Sequence, residues 1–231
     1  MRQSSKSALR NFSRRMCDAF SRHRFACRRG RLTGVALPYF ISIAQPMPPS
    51  EALEAKRHNL RQAARRINDV VVLPGEVFSF WRIVGSPHDA RRFKAGRTIR
   101  GGEVCLDLGG GLCQASGIIH HLAIRAGLEV VERHCHSVDL YTDATRFAPL
   151  GTDATVFYGY KDLRLRNNLG APLRFVMDVQ TDRVVLMLQC GAPIVERALD
   201  IVTTTDKHGV KLSIVVDPEG REVCRSVYRP Q

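Results

Sequence analysis

The sequence predicts an α+β fold, in which N-terminal helices are followed by a mainly antiparallel sheet, with a central helix starting at Cys113. Two segments, residues 51–69 and 113–126, place apolar side chains at helical spacing. After Gly127 the chain consists almost entirely of short apolar and β-branched runs separated by turn residues. Helices that precede a series of antiparallel strands are typical of α+β proteins. An apolar content of 44% is sufficient for a packed core.

Residues 1–45 are predicted to form a basic N-terminal extension. Residues 1–35 hold ten Lys or Arg and a single acid, Asp18, and therefore carry +9 of the formal net charge of +13. Such a segment either stays solvated or contacts an anionic surface. We expect residues 1–34 to be dispensable for folding and to make peripheral contact with an anionic membrane surface. Nucleic acid is a less favoured partner, because the 16 aromatic residues are not interleaved with the basic ones.

The targeting and cysteine patterns predict a cytoplasmic protein, peripheral at most at the inner membrane face. The best apolar run, residues 35–44, is interrupted by Pro38 and is half as long as the roughly 20 residues that a membrane span needs. No apolar stretch typical of a secretory signal follows the first basic residues. The seven cysteines are odd in number and widely spaced, which favours free thiols over a disulfide framework.

The chain before the central helix is predicted to form a helix, a buried segment and a loop. Residues 46–50 interrupt regular structure, and the helix predicted over 51–69 follows them with acidic residues in its first turn. The β-branched run at 70–73 and the aromatic-rich run at 77–81 are predicted to be buried. Residues 85–108 are rich in glycine, arginine and charge, and are predicted to be a loop.

Cys113 is the candidate nucleophile. The segment GGGLCQ at 109–114 places its thiol in the first turn of the central helix. Unpaired N–H groups and the helix dipole stabilise a thiolate there. Three consecutive glycines permit positive φ and let another molecule's backbone approach closely. A cysteine at a helix start is also often a small core residue, so this pattern alone leaves both interpretations open.

The strands predicted after the central helix carry a base and a carboxylate for that thiol. These strands are residues 128–133, 134–140, 154–160, 163–166, 173–179 and 183–189, followed by a meander over 198–228. On a strand His134 and His136 share one face, so one of them can reach Cys113 as its base. Asp153 is our first choice for the carboxylate that orients the imidazole, and Asp162 is our second.

Several motifs resemble those of the VanW family, the vancomycin-resistance accessory proteins. The motifs are, in order, PGEVFSF at 74–80, Val84-Gly85, GGGLCQ at 109–114, Glu132–His134 with His136-Ser137, DATV at 153–156, and Asp162–Arg164 with Asn167-Asn168. The resemblance implies a VanW-like domain over residues 46–191 and a link to the cell envelope and glycopeptide resistance. It also implies cell-wall precursors as the substrate class and favours His136 over His134 as the base. Residues 192–231 are predicted to be a β meander packed on this domain.

Three classes of function fit these residues. The first is a thiol enzyme without a cofactor, which acts on an amide or peptide-like bond of a small-molecule or peptide-like envelope precursor. Its catalytic residues are Cys113, His136 and Asp153, and its substrate-binding residues are Gly109, Gly110, Gly111, Gln114 and His134. The order of cysteine, histidine and aspartate resembles transglutaminase-like and papain-like thiol enzymes, which suggests a fold of that kind.

The second class is a non-catalytic module, in which the glycine-rich loop and the basic helix over 51–69 hold an anionic ligand or an envelope precursor. The third class is a metal site, with Cys113, His134, His136 and Asp153 as its ligands.

Overall fold

The computed structural model describes residues 2–27, 34–100, 103–139 and 148–230, and these residues form an α+β fold, which confirms the predicted class. The helices are α1 (Arg2–Phe20), α2 (Leu53–Ile67), α3 (Phe80–Val84) and α4 (Leu112–Arg125). The strands are β1 (Arg24–Phe25), β2 (Tyr39–Pro46), β3 (Val71–Val72), β4 (Glu76–Ser79), β5 (Ala95–Arg100), β6 (Glu103–Leu108), β7 (Glu129–Glu132), β8 (Arg164–Arg166), β9 (Leu173–Val179), β10 (Arg183–Cys190), β11 (Asp200–Thr205), β12 (Lys211–Val216) and β13 (Glu222–Tyr228).

Within the described residues the strands divide among four sheets. The core sheet has the order β2-β10-β9-β3 and is antiparallel throughout. A second sheet has the order β1-β4-β8-β7, in which β1 pairs with β4 in parallel. The hairpin β5-β6 and the meander β11-β12-β13 complete the set. The predicted meander at the C-terminal end is therefore present, whereas the predicted single sheet is replaced by four smaller ones.

The hydrophobic core lies between the core sheet and the helices α2 and α4. Strand β9 alternates buried and less buried residues, so that Leu173, Phe175 and Met177 face the helices. On α4 the apolar residues recur at helical spacing, and Ile118 and Leu122 are fully buried. Each such side chain stabilises the fold by about 1.5–3 kcal/mol. This packing holds α4, and with it the thiol of Cys113, rigidly against the sheet.

The start and end of α4 follow from glycines in the left-handed conformation. Gly111 occupies the N-cap with φ of 95°, and Gly127 lies just beyond the last turn with φ of 74°. The helix begins at Leu112, one residue earlier than predicted, so Cys113 lies in its first turn.

Two segments before α4 differ from their predicted structure. Residues 77–81 are buried as predicted, but the chain turns from β4 into the short helix α3, because the side chain of Ser79 caps it by accepting a hydrogen bond from the amide of Arg82 at 3.4 Å. Residues 85–108, predicted as a loop, contain the hairpin β5-β6.

Two predicted strands after α4 are wrong in their described parts. Residues 134–139 and 154–160 form only isolated bridges, and residue 140 lies outside the described residues. The reason is that polar side chains, not a neighbouring strand, satisfy part of this backbone. The amide of His136, for example, donates to the carboxylate of Asp153 at 2.8 Å.

Residues 2–27, expected to be a solvated extension, contact the domain instead. The carboxylate of Asp18 lies between two guanidinium groups, at 2.8 and 3.0 Å from Arg164 and at 3.1 Å from Arg82. Strand β1 adds to the second sheet, and β2 lies in the core sheet. Residues 28–33 lie outside the described residues, and the domain boundaries at 45 and 191 stay predictions. No helix in the described part of the chain is both long and apolar enough to cross a membrane.

Candidate functional site

Cys113, His136 and Asp153 meet at the N-terminal end of α4. Nδ1 of His136 lies 2.5 Å from Oδ2 of Asp153, and the same imidazole lies beside the thiol of Cys113. The thiol is partly buried, and the side chains of His136 and Asp153 are each 25% exposed. Three residues that are up to 40 positions apart thus form a chain of thiol, imidazole and carboxylate, open on one side to solvent.

The three groups shift each other's pKa toward a charged state. Burial by itself would raise the pKa of the Cys113 thiol, but the hydrogen bond and positive charge of His136 outweigh it, and that pKa is lowered. Burial would lower the pKa of His136, but its bonds with Asp153 and Cys113 raise it to about 10. At neutral pH His136 is therefore an imidazolium, and its charge favours the thiolate form of Cys113.

These shifts define the pH range over which the pair stabilises the fold. The pKa of His136 is raised to about 10 from an unfolded value of about 6.5, so its contribution is complete below pH 6.5 and is lost as the pH rises to 10. The pKa of Cys113 is lowered from about 8.5, so its contribution is complete above pH 8.5 and is lost as the pH falls. Between these values the two dependences oppose each other.

The carboxylate of Asp153 is held by two residues outside the thiol–imidazole pair. Oδ1 accepts hydrogen bonds from the Tyr228 hydroxyl at 2.5 Å and from the Arg133 guanidinium at 3.1 Å. Burial would raise the pKa of Asp153, but His136, Arg133 and Tyr228 together hold it far below its usual range. The amide of Gly151 donates in turn to the Tyr228 hydroxyl at 3.0 Å. Asp153 is therefore fixed in its ionised form and in one orientation.

Tyr228 and Arg133 contact the site but are not among the site residues predicted from the sequence. Burial and the charge of Asp153 raise the pKa of the Tyr228 phenol far above its usual range, so it stays a hydrogen-bond donor. Arg133 also bonds to backbone oxygens of Asp153 at 2.8 Å and of Gly151 at 2.8 Å. The adjacency of Arg133 to the histidine motif was an available signal. Tyr228 follows the site by 75 residues and carried no local signal.

The three glycines before α4 pack against the protein itself. A Cβ atom on Gly110 would lie 2.2 Å from the backbone of Gly96 in β5. One on Gly109 would lie 2.7 Å from Pro87, and one on Gly111 would lie 2.6 Å from Lys56. This close packing explains why glycine is required at these positions. A substrate-binding role for them stays a prediction without support from this geometry.

Two further residues predicted to bind substrate have partners inside the protein. The amide nitrogen of Gln114 donates to the carbonyl of Pro46 at 3.1 Å, and its buried oxygen has no partner in the described part of the chain. The ring of His134 donates to the carboxylate of Glu132 at 3.1 Å. Of the two histidines, His136 is thus the one that contacts Cys113.

Other contacts of the thiol come from the segment after Asp153. Sγ of Cys113 lies 3.5 Å from the Thr155 hydroxyl and 3.8 Å from the carbonyl of Val156. On the far side of the same segment, the buried ring of His120 donates to the carbonyl of Thr152 at 2.7 Å. Burial lowers the pKa of His120 to about 4, so that ring is neutral. Helix α4 therefore fixes both the thiol and the chain that carries its carboxylate.

Comparison with known proteins identifies the family. The family model VanW, "VanW like protein", matches residues 55–189, more than half of the chain. The chain belongs to the VanW family. This confirms the resemblance that the motifs indicated, and the VanW region contains Cys113, His136 and Asp153.

Two curated relatives share this region. The Vancomycin B-type resistance protein VanW of Enterococcus faecalis is 30% identical over 132 residues, which are 57% of this chain and 48% of that protein. The uncharacterized protein YoaR of Bacillus subtilis is 35% identical over 120 residues, which are 52% of this chain and 38% of that protein. The match spans about half or less of the length of either relative.

No solved structure gave a significant match, so a papain-like or transglutaminase-like fold is not confirmed. The VanW region ends before the meander that carries Tyr228 and begins after α1. Within the described residues, no group of three or more His, Cys, Asp or Glu side chains is arranged to hold a metal ion.

Proposed function

We propose that this VanW-family protein is a thiol enzyme with Cys113 as the nucleophile. It cleaves an amide bond and passes the acyl group to water or to an amine. The observation that carries the proposal is the chain of contacts from the Cys113 thiol through His136 to Asp153. The proposed substrate is a peptide-like precursor of the cell envelope. Its support is the similarity to a protein whose name is Vancomycin B-type resistance protein VanW.

In the first half of the proposed reaction, the Cys113 thiolate attacks the carbonyl carbon of the amide. A C–S bond forms, and the carbonyl π electrons move to the oxygen. The amides of Leu112 and Gln114 donate to the carbonyls of Gly109 and Gly111, at 3.3 and 3.0 Å. The amide of Cys113, in the same first turn of α4, is therefore the proposed donor to that oxyanion. The imidazolium of His136 then gives its proton to the amine nitrogen, the C–N bond breaks, and a thioester remains on Cys113.

In the second half, water or an acceptor amine attacks the thioester. Neutral His136 takes the proton of the attacking group, the C–S bond breaks, and the product leaves with the thiolate and imidazolium restored. Asp153 holds Nδ1 of the ring at 2.5 Å throughout, which fixes the ring's orientation and stabilises its positive form.

A second candidate function is the binding of an anionic ligand without turnover. Its support is a groove of about 460 Å³ along α2, lined by basic side chains and one acid. The lining residues are Glu54, His58, Arg61, Gln62, Arg65 and Lys94. The side chain of Asn59 links this region to the glycine-rich loop, since it donates to the carbonyls of Lys94 and Gly110, each at 2.9 Å.

An activated ester, p-nitrophenyl acetate, distinguishes the two candidates. We expect the wild-type protein to form a thioester on Cys113, which intact-mass and peptide mass spectrometry detect. His136→Ala should slow its formation at neutral pH by at least about tenfold, because the thiol then loses its positive partner. Cys135→Ala, which removes another partly exposed thiol, is the matched control and should acylate at the wild-type rate.

Absence of the thioester, or equal labelling of Cys113 with and without His136, would contradict the thiol-enzyme proposal. Anion binding along α2, detected by titration with a polyphosphate and lost in Arg61→Glu, would then favour the second candidate.

A further inference from the structure

Helix α1 contacts the domain through its polar side. Ser7 and Asp18 are 1% and 9% exposed. Between them, the amide of Asn11 donates to the Tyr158 hydroxyl at 2.9 Å, and Arg14 forms a salt bridge with a carboxylate of the domain. These four residues recur at spacings of four, three and four, so they form one stripe along the helix.

The opposite side of α1 carries an exposed apolar stripe. Leu9, Phe12, Met16 and Phe20 are 70%, 62%, 46% and 85% exposed. Their spacings of three, four and four place them on one face, and at 100° per residue that face lies opposite the polar stripe. An amphipathic helix of a globular protein normally buries its apolar side. Here the orientation is reversed, and four large apolar side chains face outward.

The exposed charge around this stripe is entirely positive in the described part of the segment. Lys6, Arg15 and Arg22 are exposed, whereas the single acid, Asp18, is buried against the domain. In a dimer formed through this face, the positive charges of one copy would lie close to the same positive charges of the other, and their repulsion would oppose association. An anionic surface that also accepts apolar side chains matches both properties of the helix face.

We propose that α1 is an interfacial helix, which inserts Leu9, Phe12, Met16 and Phe20 among the headgroups of an anionic bilayer. Apolar residues on one side and basic residues at its borders are the features by which helices lie in a membrane surface. The polar stripe keeps its contacts with the domain, so membrane binding requires no rearrangement of the fold. The inference is independent of the proposed thiol chemistry, because it uses no residue of the Cys113 site.

Vesicle co-sedimentation of the full chain tests the proposal. We expect strong binding to phosphatidylcholine vesicles that contain about one third phosphatidylglycerol, and at least tenfold weaker binding to phosphatidylcholine alone. The double variant Phe12→Ser/Phe20→Ser should lose at least tenfold of the binding, and its melting temperature should be unchanged because both rings are exposed. Phe40→Ser, which removes a 59% exposed phenylalanine from β2, is the matched control and should bind as the wild type does.

The charge contribution is tested with Arg15→Glu/Arg22→Glu, which should weaken binding and reduce its dependence on salt. Binding of the double phenylalanine variant at the wild-type level would overturn the proposal, as would absence of wild-type binding to anionic vesicles. A stripe that instead mediates protein contacts would change the sedimentation coefficient of the double variant but not its vesicle binding. The alkylation rate of Cys113 should be the same in all these variants, whether or not the protein is an enzyme.

Discussion

Replacing Tyr228 with phenylalanine removes one hydroxyl group from between Asp153 and Gly151. That hydroxyl donates to Asp153 at 2.5 Å and accepts from the amide of Gly151 at 3.0 Å. The ring stays buried in the variant, so the change isolates these two hydrogen bonds. We expect the substitution to weaken the support of His136 without removing it.

The size of the effect follows from the contacts that remain. A hydrogen bond to a charged group contributes about 1.5–3 kcal/mol, or about 1–2 units in the pKa of the carboxyl. Asp153 is 25% exposed and keeps both Arg133 and His136, so we take the lower end and expect it to stay ionised at neutral pH. The Gly151 amide, buried with its acceptor gone, should destabilise the fold by about 1–3 kcal/mol more. Cys113 does not contact Tyr228 directly, so we expect its alkylation rate at pH 6–7 to fall by only about threefold.

The assay is the rate of iodoacetamide alkylation at Cys113 as a function of pH, measured by peptide mass spectrometry. Tyr228→Phe should move the inflection upward by less than one pH unit, because a less firmly held Asp153 stabilises the imidazolium less. Tyr39→Phe, which deletes a hydroxyl from an exposed tyrosine on β2, is the control and should leave the profile unchanged.

A double-mutant comparison decides whether the effect passes through the carboxylate. In Asp153→Asn the inflection should rise further, and adding Tyr228→Phe should then change it little, since both act on one path. Two fully additive shifts would refute this reasoning. So would a Tyr228→Phe protein that is less stable but has the wild-type pH profile, since Tyr228 would then support only the fold.

Three other predictions concern the packing and titration of the same region. Gly110→Ala should destabilise the protein by about 1–3 kcal/mol in urea unfolding, since its Cβ would overlap backbone; Gly117→Ala, with 3.7 Å to the nearest atom, should be neutral or stabilising. Asp18→Ala should lower the free energy of unfolding by about 2–3 kcal/mol. The loss should be smaller than for an isolated buried ion pair, because Arg164 still pairs with Glu132 and Asp162. An unchanged melting temperature would indicate that α1 is dispensable. Stability of the reduced wild type should fall by about 1 kcal/mol between about pH 8.5 and pH 10 as His136 loses its proton; a similar fall in His136→Ala would contradict this assignment.

The sequence by itself determined the elements whose signal is local. Helix α2, helix α4 and strands β9 and β10 lie within a few residues of their predicted bounds, because the spacing of apolar residues within one segment dictates which of its faces is buried. The glycine that ends α4 and the position of Cys113 in its first turn are equally local. The grouping of Cys113 with His136 and Asp153 came from motif order and family resemblance. The strand predicted at 134–140 does not explain this grouping, because His136 does not lie on a strand. Its position is set by hydrogen bonds to Asp153.

Only the tertiary structure decided which long-range partners complete these elements. The reversed orientation of α1 depends on carboxylates and hydroxyls of the domain that Asn11, Arg14 and Asp18 meet, and no pattern within residues 1–34 encodes those partners. Tyr228 reaches Asp153 because the meander folds back over the site, 75 residues later in the chain. Periodicity reports which side of a segment is apolar, whereas the identity of a buried polar partner depends on the three-dimensional meeting of distant segments, where each buried donor and acceptor must be satisfied.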